Sequence, residues 1–399
     1  AIRSALIVAP LSCLRRVWED EIFTSVPGRT CAVVHGGREK REAALASGAD
    51  FYITNHDGVK LIADALESRP DIGLVICDEF TAFKSHSSDR SKAMFRIAKT
   101  RRLWMMSATP MAQGPEDAYF PCKLVNPDRA GTLGRWRDAT MVQLSKFKWA
   151  PRNTATEFVK HMMQPAILFR RDEVLDLPPQ VYIKREAPLT KEQEQARMHL
   201  KVLRRAQMEE TGGTVTATNA AVLAGKLLQV AQGAVIQDLG AGVKTLDCAP
   251  RLAVLDEVID EAQAKIIVFA PYTATVNMVY EHLSTRFNVA KVDGSVSAGA
   301  RNDVFSRFQN GGVEIIVAHP KTMSHGLTLT AADMIVWFGP TTSTETFIQA
   351  NLRINRPGQT RSTTVVMIAS TPEEWQVYRA LEGRADLQDV LLDMYKNFG

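Results

Sequence analysis

The sequence lacks the features that mark secreted, membrane-spanning or metal-stabilised proteins. Its 399 residues include five cysteines, which lie far apart and form no Cys-x-x-Cys pair, so neither a disulfide framework nor a zinc site is expected. No apolar run approaches the roughly 18 residues that a membrane helix needs. The net charge of +4 permits a nucleic-acid partner but does not by itself indicate one. The composition is that of a reduced, intracellular globular protein with two or three domains.

A phosphate-binding loop of the form Gly-x-x-x-x-Gly-Lys-Ser/Thr is also missing. The sequence has a single Gly-Lys pair, Gly225-Lys226, where Leu227 stands in place of Ser or Thr and Ala220 in place of the earlier glycine. Such a loop cradles phosphates with its backbone amides, and its lysine reaches the β- and γ-oxygens. Any nucleotide site in this protein therefore needs a phosphate cradle from another segment.

Short apolar runs alternate with helical patterns in two separate blocks. Runs that are apolar at consecutive positions are typical of parallel strands covered on both faces. The alternation predicts an α/β fold with two doubly wound parallel-sheet lobes. Strands are predicted at residues 5–9, 31–34, 51–54, 74–77 and 103–106 in the first block and 266–270, 289–292, 314–318, 335–338 and 364–368 in the second. The clearest helical patterns cover residues 38–46, 276–284 and 300–309.

The middle of the chain, about residues 112–250, is predicted to be a mainly helical insert with loops at several prolines. Residues 190–193 form a capping-box pattern, which predicts a helix that runs to about Glu210. The predicted domains are a first lobe with the start of the insert over residues 1–165, an inter-lobe crossing with a helical segment over 166–250, and a second lobe with carboxyl-terminal helices over 251–399.

Polar residues follow two of the predicted strands, at the sheet edge where ligands of parallel sheets bind. Asp78 and Glu79 come directly after residues 74–77, as in a site for a magnesium-bound nucleotide. Ser107 and Thr109 follow residues 103–106, where their hydroxyls could hydrogen-bond back to the acidic pair. Taken alone, both patterns are more typical of ordinary turns.

An Arg-x-x-Arg pattern lies near the end of the second block. Arg353 and Arg356 are three residues apart, so on a helix they would share one face and could offset charge on a triphosphate. The alternative for such a pattern is a solvated basic face.

Together these patterns resemble the motifs of superfamily-two helicases, in the Swi/Snf-type translocase branch, which have two RecA-like lobes. The resemblance covers nearly the whole chain. Asp78-Glu79 matches motif II, Ser107 to Pro110 motif III, residues 326–333 motif V, and the string from Gln349 to Gln359 motif VI. Further matches are residues 6–11 with Trp18 and Glu21 for motif Ia, 53–56 for motif Ib, 169–171 with 177–179 and 189–190 for the inter-lobe crossing, 267–269 for motif IV, and Gly294-Ser295 with Arg301 and Phe308 for the element after it.

The sequence departs from the family at motif II, which reads Asp-Glu-Phe-Thr where Asp-Glu-x-His is more usual. Residues 319–320 and 324–326 resemble bacteriophage and bacterial members more than eukaryotic remodellers, which implies the cytoplasm of a bacterium or of a phage-infected host cell. In the family the phosphate-binding loop precedes motif Ia, and this sequence starts at motif Ia. We therefore expect that loop to lie upstream of Ala1, and expect this chain alone not to hydrolyse ATP; truncation and natural loss are both compatible with this.

The resemblance implies ATP and Mg²⁺ as cofactors and assigns roles to the motif residues. Asp78 would hold Mg²⁺, and Glu79 would orient or deprotonate the attacking water. Arg353 and Arg356 would reach the γ-phosphate from the second lobe. The nucleotide site implied between the lobes would also include the residues Gln349, Gly326, Ser107 and Thr109.

The resemblance further implies that duplex DNA is the partner, held mainly through its phosphates. The expected contacts are Pro10, Ser12, Thr54, Asn55, His56, Thr273, Gly294, Ser295, Lys321, Thr322 and Ser324. A separate basic stretch, residues 135–171, has eight Lys and Arg against Asp138 and Glu157, and the aromatic residues Trp136, Phe147, Trp149 and Phe158 are interleaved with them. It indicates a further DNA-binding surface at Lys146, Lys148 and Arg152. The alternative is a solvated insert whose aromatic residues anchor the core.

The predicted function of the intact protein is that of an ATP-dependent DNA translocase or helicase. Two alternatives stay open from the sequence: a degenerate, non-hydrolysing module that binds DNA or protein, and an RNA helicase.

Overall fold

Two parallel sheets organise the chain, each in its own compact unit, residues Ala1–Phe169 and Arg170–Gly399. The computed structural model describes residues 3–108, 110–111, 114–145, 148–169, 171–210, 217–236, 242–262, 264–323 and 328–383. No helix among these residues is both long and apolar enough to cross a membrane.

The first unit contains a five-stranded sheet with the order β2-β3-β1-β4-β5, all strands being parallel. Its strands are β1 Ser4–Ala9, β2 Cys31–Val33, β3 Phe51–Asn55, β4 Ile72–Asp78 and β5 Arg102–Met106. Its helices are α1 Asp20–Ser25, α2 Arg38–Ala46, α3 Val59–Glu67, α4 Asp89–Ala98, α5 Tyr119–Val125, α6 Pro127–Ala130, α7 Leu133–Thr140 and α8 Ala155–Met162. A hairpin follows α7, with β6 Met141–Ser145 antiparallel to β7 Lys148–Pro151.

The central strand β1 shows why this sheet is parallel and covered on both faces. All six of its residues are buried. Leu6 and Val8 belong to the large core cluster, whereas Ile7 and Ala9 belong to a separate small cluster. Because successive side chains of a strand point to opposite faces, the two clusters lie on the two sides of the sheet. The consecutive apolar run that predicted this strand is thus explained by packing on both sides.

The second unit contains a six-stranded parallel sheet with the order β12-β13-β11-β14-β15-β8. Its strands are β8 Gln180–Glu186, β11 Lys265–Phe269, β12 Val289–Val292, β13 Ile315–Ala318, β14 Ala332–Trp337 and β15 Thr363–Ala369, and a small hairpin pairs β9 Ala234–Ile236 with β10 Val243–Thr245. Its helices are α9 Arg171–Val174, α10 Lys191–Glu210, α11 Ala217–Ala231, α12 Ala249–Glu261, α13 Thr273–Leu283, α14 Ala298–Asn310, α15 Thr344–Asn351 and α16 Pro372–Leu381.

The structure confirms the predicted fold class and all ten predicted strands, with ends that differ by at most three residues. The capping box is also present, since Thr190 N–H donates to Gln193 Oε1 at 3.0 Å and Gln193 N–H donates to Thr190 Oγ1 at 3.3 Å. The prediction of a mainly helical middle is only partly right. Residues 112–250 include the two hairpins and also strand β8, which pairs with β15 along the edge of the second sheet.

Candidate functional site

The acidic pair predicted to hold a nucleotide lies at the carboxyl end of β4, in the first unit. Asp78 is the last residue of that strand. Glu79 follows with φ 51° and ψ 59°, and it is the one residue other than glycine with a positive φ in the described part of the chain. This left-handed conformation turns the chain sharply into the single turn of 3₁₀-helix Phe80–Phe83. Such strained backbone is uncommon outside glycine and concentrates at functional sites.

Three side chains from other segments converge on the acidic pair. Trp18 Nε1 donates to Asp78 Oδ2 at 3.2 Å, and His56 Nε2 lies 2.8 Å from the backbone oxygen of Asp78. Ser107 Oγ donates to Glu79 Oε2 at 3.4 Å, so the predicted hydrogen bond from the segment after β5 to the acidic pair is present. The two carboxylates are therefore held by hydrogen bonds from the segments that follow β1 and β5, and the backbone of Asp78 is held by a residue from the segment that follows β3.

The donor set at this strand end fits Mg²⁺ held together with a nucleotide. Mg²⁺ prefers oxygen ligands and is usually bound by one or two carboxylates, waters and substrate phosphates. Asp78 and Glu79 provide the carboxylates at a partly exposed position. Among the described residues there is no group of three or more His, Cys, Asp or Glu side chains that could hold a metal alone. Two adjacent carboxylates suit a metal ion whose remaining ligands are phosphate oxygens and waters.

The Gly225-Lys226 pair does not form a phosphate-binding loop. Both residues lie inside helix α11, and Lys226 Nζ donates to the backbone oxygen of Ile236. A phosphate cradle requires a glycine-rich loop before a helix, whereas this pair lies within a helix. The expectation that another segment supplies the cradle stays a prediction.

Motif VI departs from the helical arrangement predicted for its arginines. Helix α15 ends at Asn351, so Arg353 and Arg356 follow the helix and do not share one of its faces. Instead each guanidinium folds back along the chain: Arg353 Nε donates to Gln349 O at 3.0 Å and Arg356 Nε to Leu352 O at 3.3 Å.

Burial further distinguishes the motif VI residues. Gln349 and Arg353 are buried, whereas Arg356 is partly exposed. Gln359 Nε2 donates to the backbone oxygens of Thr330 and Ala332, at 3.3 and 2.9 Å, and so fixes the motif against the start of β14. Arg356 is consequently the more accessible of the two guanidiniums in the second unit.

The expected nucleic-acid contacts of the first unit differ in accessibility. Ser12 is exposed and Asn55 partly exposed, so both are able to meet a phosphate. Thr54 is fully buried, and its hydroxyl donates to Val34 O at 3.0 Å. Pro10 is buried too, and its carbonyl accepts the Cys13 N–H at 2.9 Å. The prediction of surface contacts was therefore wrong for the side chains of Thr54 and Pro10, which stabilise the loops from inside.

The expected contacts of the second unit gather at one edge of its sheet. Thr273, Gly294, Ser295 and Lys321 are exposed and follow β11, β12 and β13, which are neighbours in the sheet. Thr322 is nearby, but its hydroxyl donates to His319 O at 2.7 Å, so it supports the loop. The structure therefore brings the four exposed residues together, as expected for a surface that holds phosphates.

The basic stretch of the first unit supports the structural interpretation where it is described. Trp136 is buried, its Nε1 donates to Pro115 O at 3.0 Å, and it meets Phe158 edge to face at 5.3 Å between ring centroids. Arg137 pairs with Glu116, and Arg152 Nε donates to the backbone of residues 138 and 141 at 3.0 Å each. These aromatic residues anchor the core, and Arg152 fastens the hairpin to α7. The predicted DNA contact of Arg152 stays a prediction for its remaining guanidinium nitrogens.

Some predicted site residues lie outside the described part of the chain. They are Thr109, Lys146, Ser324 and Gly326, together with the side chain of Lys148. Their predicted roles stay predictions.

The sequence interpretation gave no role to the contact between Trp18 and Asp78. The two residues are 60 positions apart, so no local pattern indicates that they meet. The sequence signal that was available was the position of Trp18 after the loop that follows β1, at the same edge of the sheet as Asp78.

Comparison with known proteins identifies the family. The profile of the SNF2-related domain matches residues 2–232, and that of the helicase conserved C-terminal domain matches residues 250–358. The chain belongs to the SNF2-related family. This membership confirms the resemblance to Swi/Snf-type helicases of superfamily two that the motifs indicated.

Individual relatives of this SNF2-related chain span phages and animals. Protein p41 of Acyrthosiphon pisum secondary endosymbiont phage 1 is 25% identical over 99% of this chain and 88% of its own length. The DNA repair and recombination protein RAD54-like of Gallus gallus is 23% identical over 93% of this chain and 56% of its own length. A solved Sulfolobus solfataricus SWI2/SNF2 ATPase core in complex with double-stranded DNA is 21% identical, covers all of this chain and 84% of that one, and has a TM-score of 0.43. The chain thus spans most of the phage protein but about half of the animal one.

Proposed function

We propose that this chain belongs to an ATP-dependent DNA translocase or helicase. The observation that carries the proposal is the acidic strand end of a SNF2-related chain, where Asp78 and Glu79 are each held by hydrogen bonds from neighbouring segments. Enzymes that transfer phosphoryl groups rely on positioned carboxylates and on stabilisation of the negative charge in the transition state, and the protein supplies little covalent chemistry. The family membership and the site geometry support the same reaction class.

In the proposed reaction, Mg²⁺ bound beside Asp78 would supply positive charge that offsets the negative charge on the ATP phosphates. Asp78 would hold that ion, with Trp18 fixing one oxygen of its carboxylate. Glu79 would orient the attacking water or accept its proton, and Ser107 would fix the Glu79 carboxylate. Arg356, and with it Arg353, would offset negative charge on the γ-phosphate, while Gln349 braces Arg353 through its backbone oxygen.

We propose that the protein moves along duplex DNA. The exposed residues at the carboxyl edges of the two sheets are the proposed phosphate contacts: Ser12 and Asn55 in the first unit, and Thr273, Gly294, Ser295 and Lys321 in the second. Hydroxyls, backbone amides and one lysine suit contacts that ignore sequence, as a translocase requires.

A second candidate function has one specific observation in its favour. The Gly-Lys pair of this chain lies within a helix, so the described residues include no phosphate cradle at that pair. In this alternative, residues 1–399 by themselves bind DNA without turnover.

The test of the enzyme proposal is Glu79→Gln in the protein that contains this chain. The substitution keeps the shape of the side chain but removes its charge, so we expect ATP turnover to fall by about 10²- to 10⁴-fold, as for loss of a general base. Affinities for ATP and for duplex DNA should stay within about threefold, because binding relies on other groups. ATP hydrolysis is measured with and without duplex, and both affinities by fluorescence anisotropy.

The matched control is Glu39→Gln, an exposed acid on α2 of the same unit, which should leave turnover unchanged. Full activity in Glu79→Gln would contradict the assigned role of Glu79. Robust DNA-stimulated hydrolysis by residues 1–399 alone would contradict the non-hydrolysing alternative, and absence of duplex binding would contradict both.

A further inference from the structure

Two loops at the nucleic-acid edge of the first unit meet at one residue, Asp78. The loop after β1 contains exposed Ser12 and continues through a short 3₁₀ turn into the π-helix Leu14–Glu19, which contains Trp18. The loop after β3 begins at His56, directly after Asn55. Through Trp18 the first loop contacts the carboxylate of Asp78, and through His56 the second contacts its backbone oxygen.

The π-helix determines where Trp18 lies. A π-helix is rare, occurs in short pieces and is frequent at functional sites, because its extra residue per turn redirects the side chains that follow. Here the ring of Trp18 packs against a small apolar cluster on the sheet, which includes Ile7, Cys13 and Leu14. The ring is thus anchored, and its Nε1 is aimed at Asp78 Oδ2, 3.2 Å away.

The chemistry of the indole makes this contact directional. The Trp18 N–H is a donor only, and an ionised carboxylate is an acceptor only. The bond therefore fixes one oxygen of the Asp78 carboxylate. Groups that orient a metal-binding carboxylate in this way affect metal affinity or activity by about 10- to 100-fold when they are removed.

His56 braces the backbone of the same residue. Its ring meets Phe83 edge to face, with 5.5 Å between centroids, and Phe83 ends the turn that follows Glu79. Since the backbone oxygen of Asp78 only accepts, Nε2 must carry the proton and donate.

We propose that Trp18 is a positioning residue through which DNA bound at the loop after β1 orients the Asp78 carboxylate for Mg²⁺, with His56 bracing Asp78 from the loop after β3. The inference rests on the proposed function and deepens it. DNA held at Ser12 orders the π-helix, and the helix holds the anchored indole at the position that sets the angle of the carboxylate. Stimulation of ATP hydrolysis by DNA thereby passes through a hydrogen bond and not through a change in nucleotide contacts.

The test is Trp18→Phe, which keeps an aromatic ring but removes the donor. In the protein that contains this chain, DNA-stimulated turnover should fall about tenfold or more, and the Mg²⁺ concentration for half-maximal rate should rise several-fold. The KM for ATP at saturating Mg²⁺ and the affinity for duplex DNA should stay within about twofold. The control is Trp104→Phe, a tryptophan of the same unit that is 60% exposed on β5, which should change none of these values.

A second measurement needs no turnover. In the 5-fluorotryptophan-labelled chain, the ¹⁹F resonance of Trp18 is identified by its loss in Trp18→Phe. Asp78→Asn should shift this resonance and leave that of Trp136, whose Nε1 bonds to Pro115 O, in place. Duplex DNA should shift it as well.

The outcomes separate this inference from the proposed function. Wild-type protein without DNA-stimulated hydrolysis would contradict the function, whereas the ¹⁹F response to Asp78→Asn would still test the contact. Full DNA stimulation in Trp18→Phe, or a Trp18 resonance that ignores Asp78→Asn or duplex DNA, would overturn the inference.

Discussion

Arg251 and Glu374 form an ion pair inside the second unit, with 1% and 0% of their side chains exposed. Arg251 Nη2 lies 2.6 Å from Glu374 Oε2, and its Nη1 donates to Phe338 O at 2.6 Å. Ser370 completes the arrangement, since its hydroxyl accepts from Arg251 and its N–H donates to Glu374 at 2.7 Å. The pair thus ties α12 and α16 to the carboxyl ends of β14 and β15.

Removing one partner of this pair should destabilise the second unit strongly. Arg251→Met leaves the Glu374 carboxylate buried without its cation, which costs about 3–5 kcal/mol of unfolding free energy. The double variant Arg251→Met with Glu374→Leu should recover most of that loss. Urea titration gives the free energies of unfolding.

An exposed pair in the same unit is the control. Arg185 and Glu261 lie 2.6 Å apart with 40% and 60% exposure, so Arg185→Met should cost less than about 1 kcal/mol. A loss of similar size at both positions would show that Arg251 contributes no more than a surface charge.

For single residues, the sequence predicted which side chains follow the strands. It did not predict the distant residues that hydrogen-bond to them in the folded protein. Asp78, Glu79 and Ser107 could be predicted because strand ends at one edge of a parallel sheet must lie together. The partners Trp18 and Glu374 could not, because they reach their sites from 60 and 123 positions away. The burial of Thr54 was missed for the same reason, since the oxygen that its hydroxyl meets belongs to another segment.

Helix α14 is an element whose ends the sequence determines locally. Ser297 caps its start by accepting the Ala300 N–H, and Gly311 ends it with φ 110°. A residue with a Cβ is strained in this left-handed region, whereas glycine is not. The helix thus ends at Asn310, one residue beyond the pattern predicted over residues 300–309.

Two glycine-to-alanine substitutions in this element should act in opposite directions. Gly311→Ala should lower the unfolding free energy by about 1–2 kcal/mol, because alanine is disfavoured at positive φ. Gly299→Ala, inside the first turn with open space around the new methyl, should raise it by about 0.5 kcal/mol. Urea titration of both variants checks the signs, and equal effects would refute the capping argument.

The sequence interpretation missed elements that are largely exposed or that pack on one face only. The ten predicted strands are apolar on consecutive positions because helices cover both faces of their sheets. Strand β8 has the sequence Gln-Val-Tyr-Ile-Lys-Arg-Glu and is largely exposed at the sheet edge. Its sequence therefore resembles that of a segment that only connects the two units. The end of α15 before Arg353 was missed, and just beyond that end the carbonyl of Arg353 accepts the N–H of Leu329 at 3.0 Å, a contact from a distant segment that no local pattern indicates.

At the scale of the whole molecule, the crossing between the two units is open to proteases. Ile167, Leu168 and Phe169 have 83%, 75% and 72% of their surface exposed and lie outside any helix or strand. Brief chymotrypsin digestion should therefore cut first after Leu168 or Phe169 and release fragments close to residues 1–169 and 170–399, identified by mass spectrometry. Replacing both residues with aspartate should slow that cut. A first cut within a sheet would contradict the expectation.

The pairing of β8 with β15 has a consequence for how this chain is made. Gln180 lies beside Thr363, so the strand that opens the second unit hydrogen-bonds to one that is synthesised almost at its end. During translation, β8 is made nearly two hundred residues before β15. Until β15 is made, β8 lacks its neighbour in the sheet, and its side chains Val181 and Tyr182 are exposed even in the folded protein. This edge of the second sheet is therefore completed only after β15 has been synthesised.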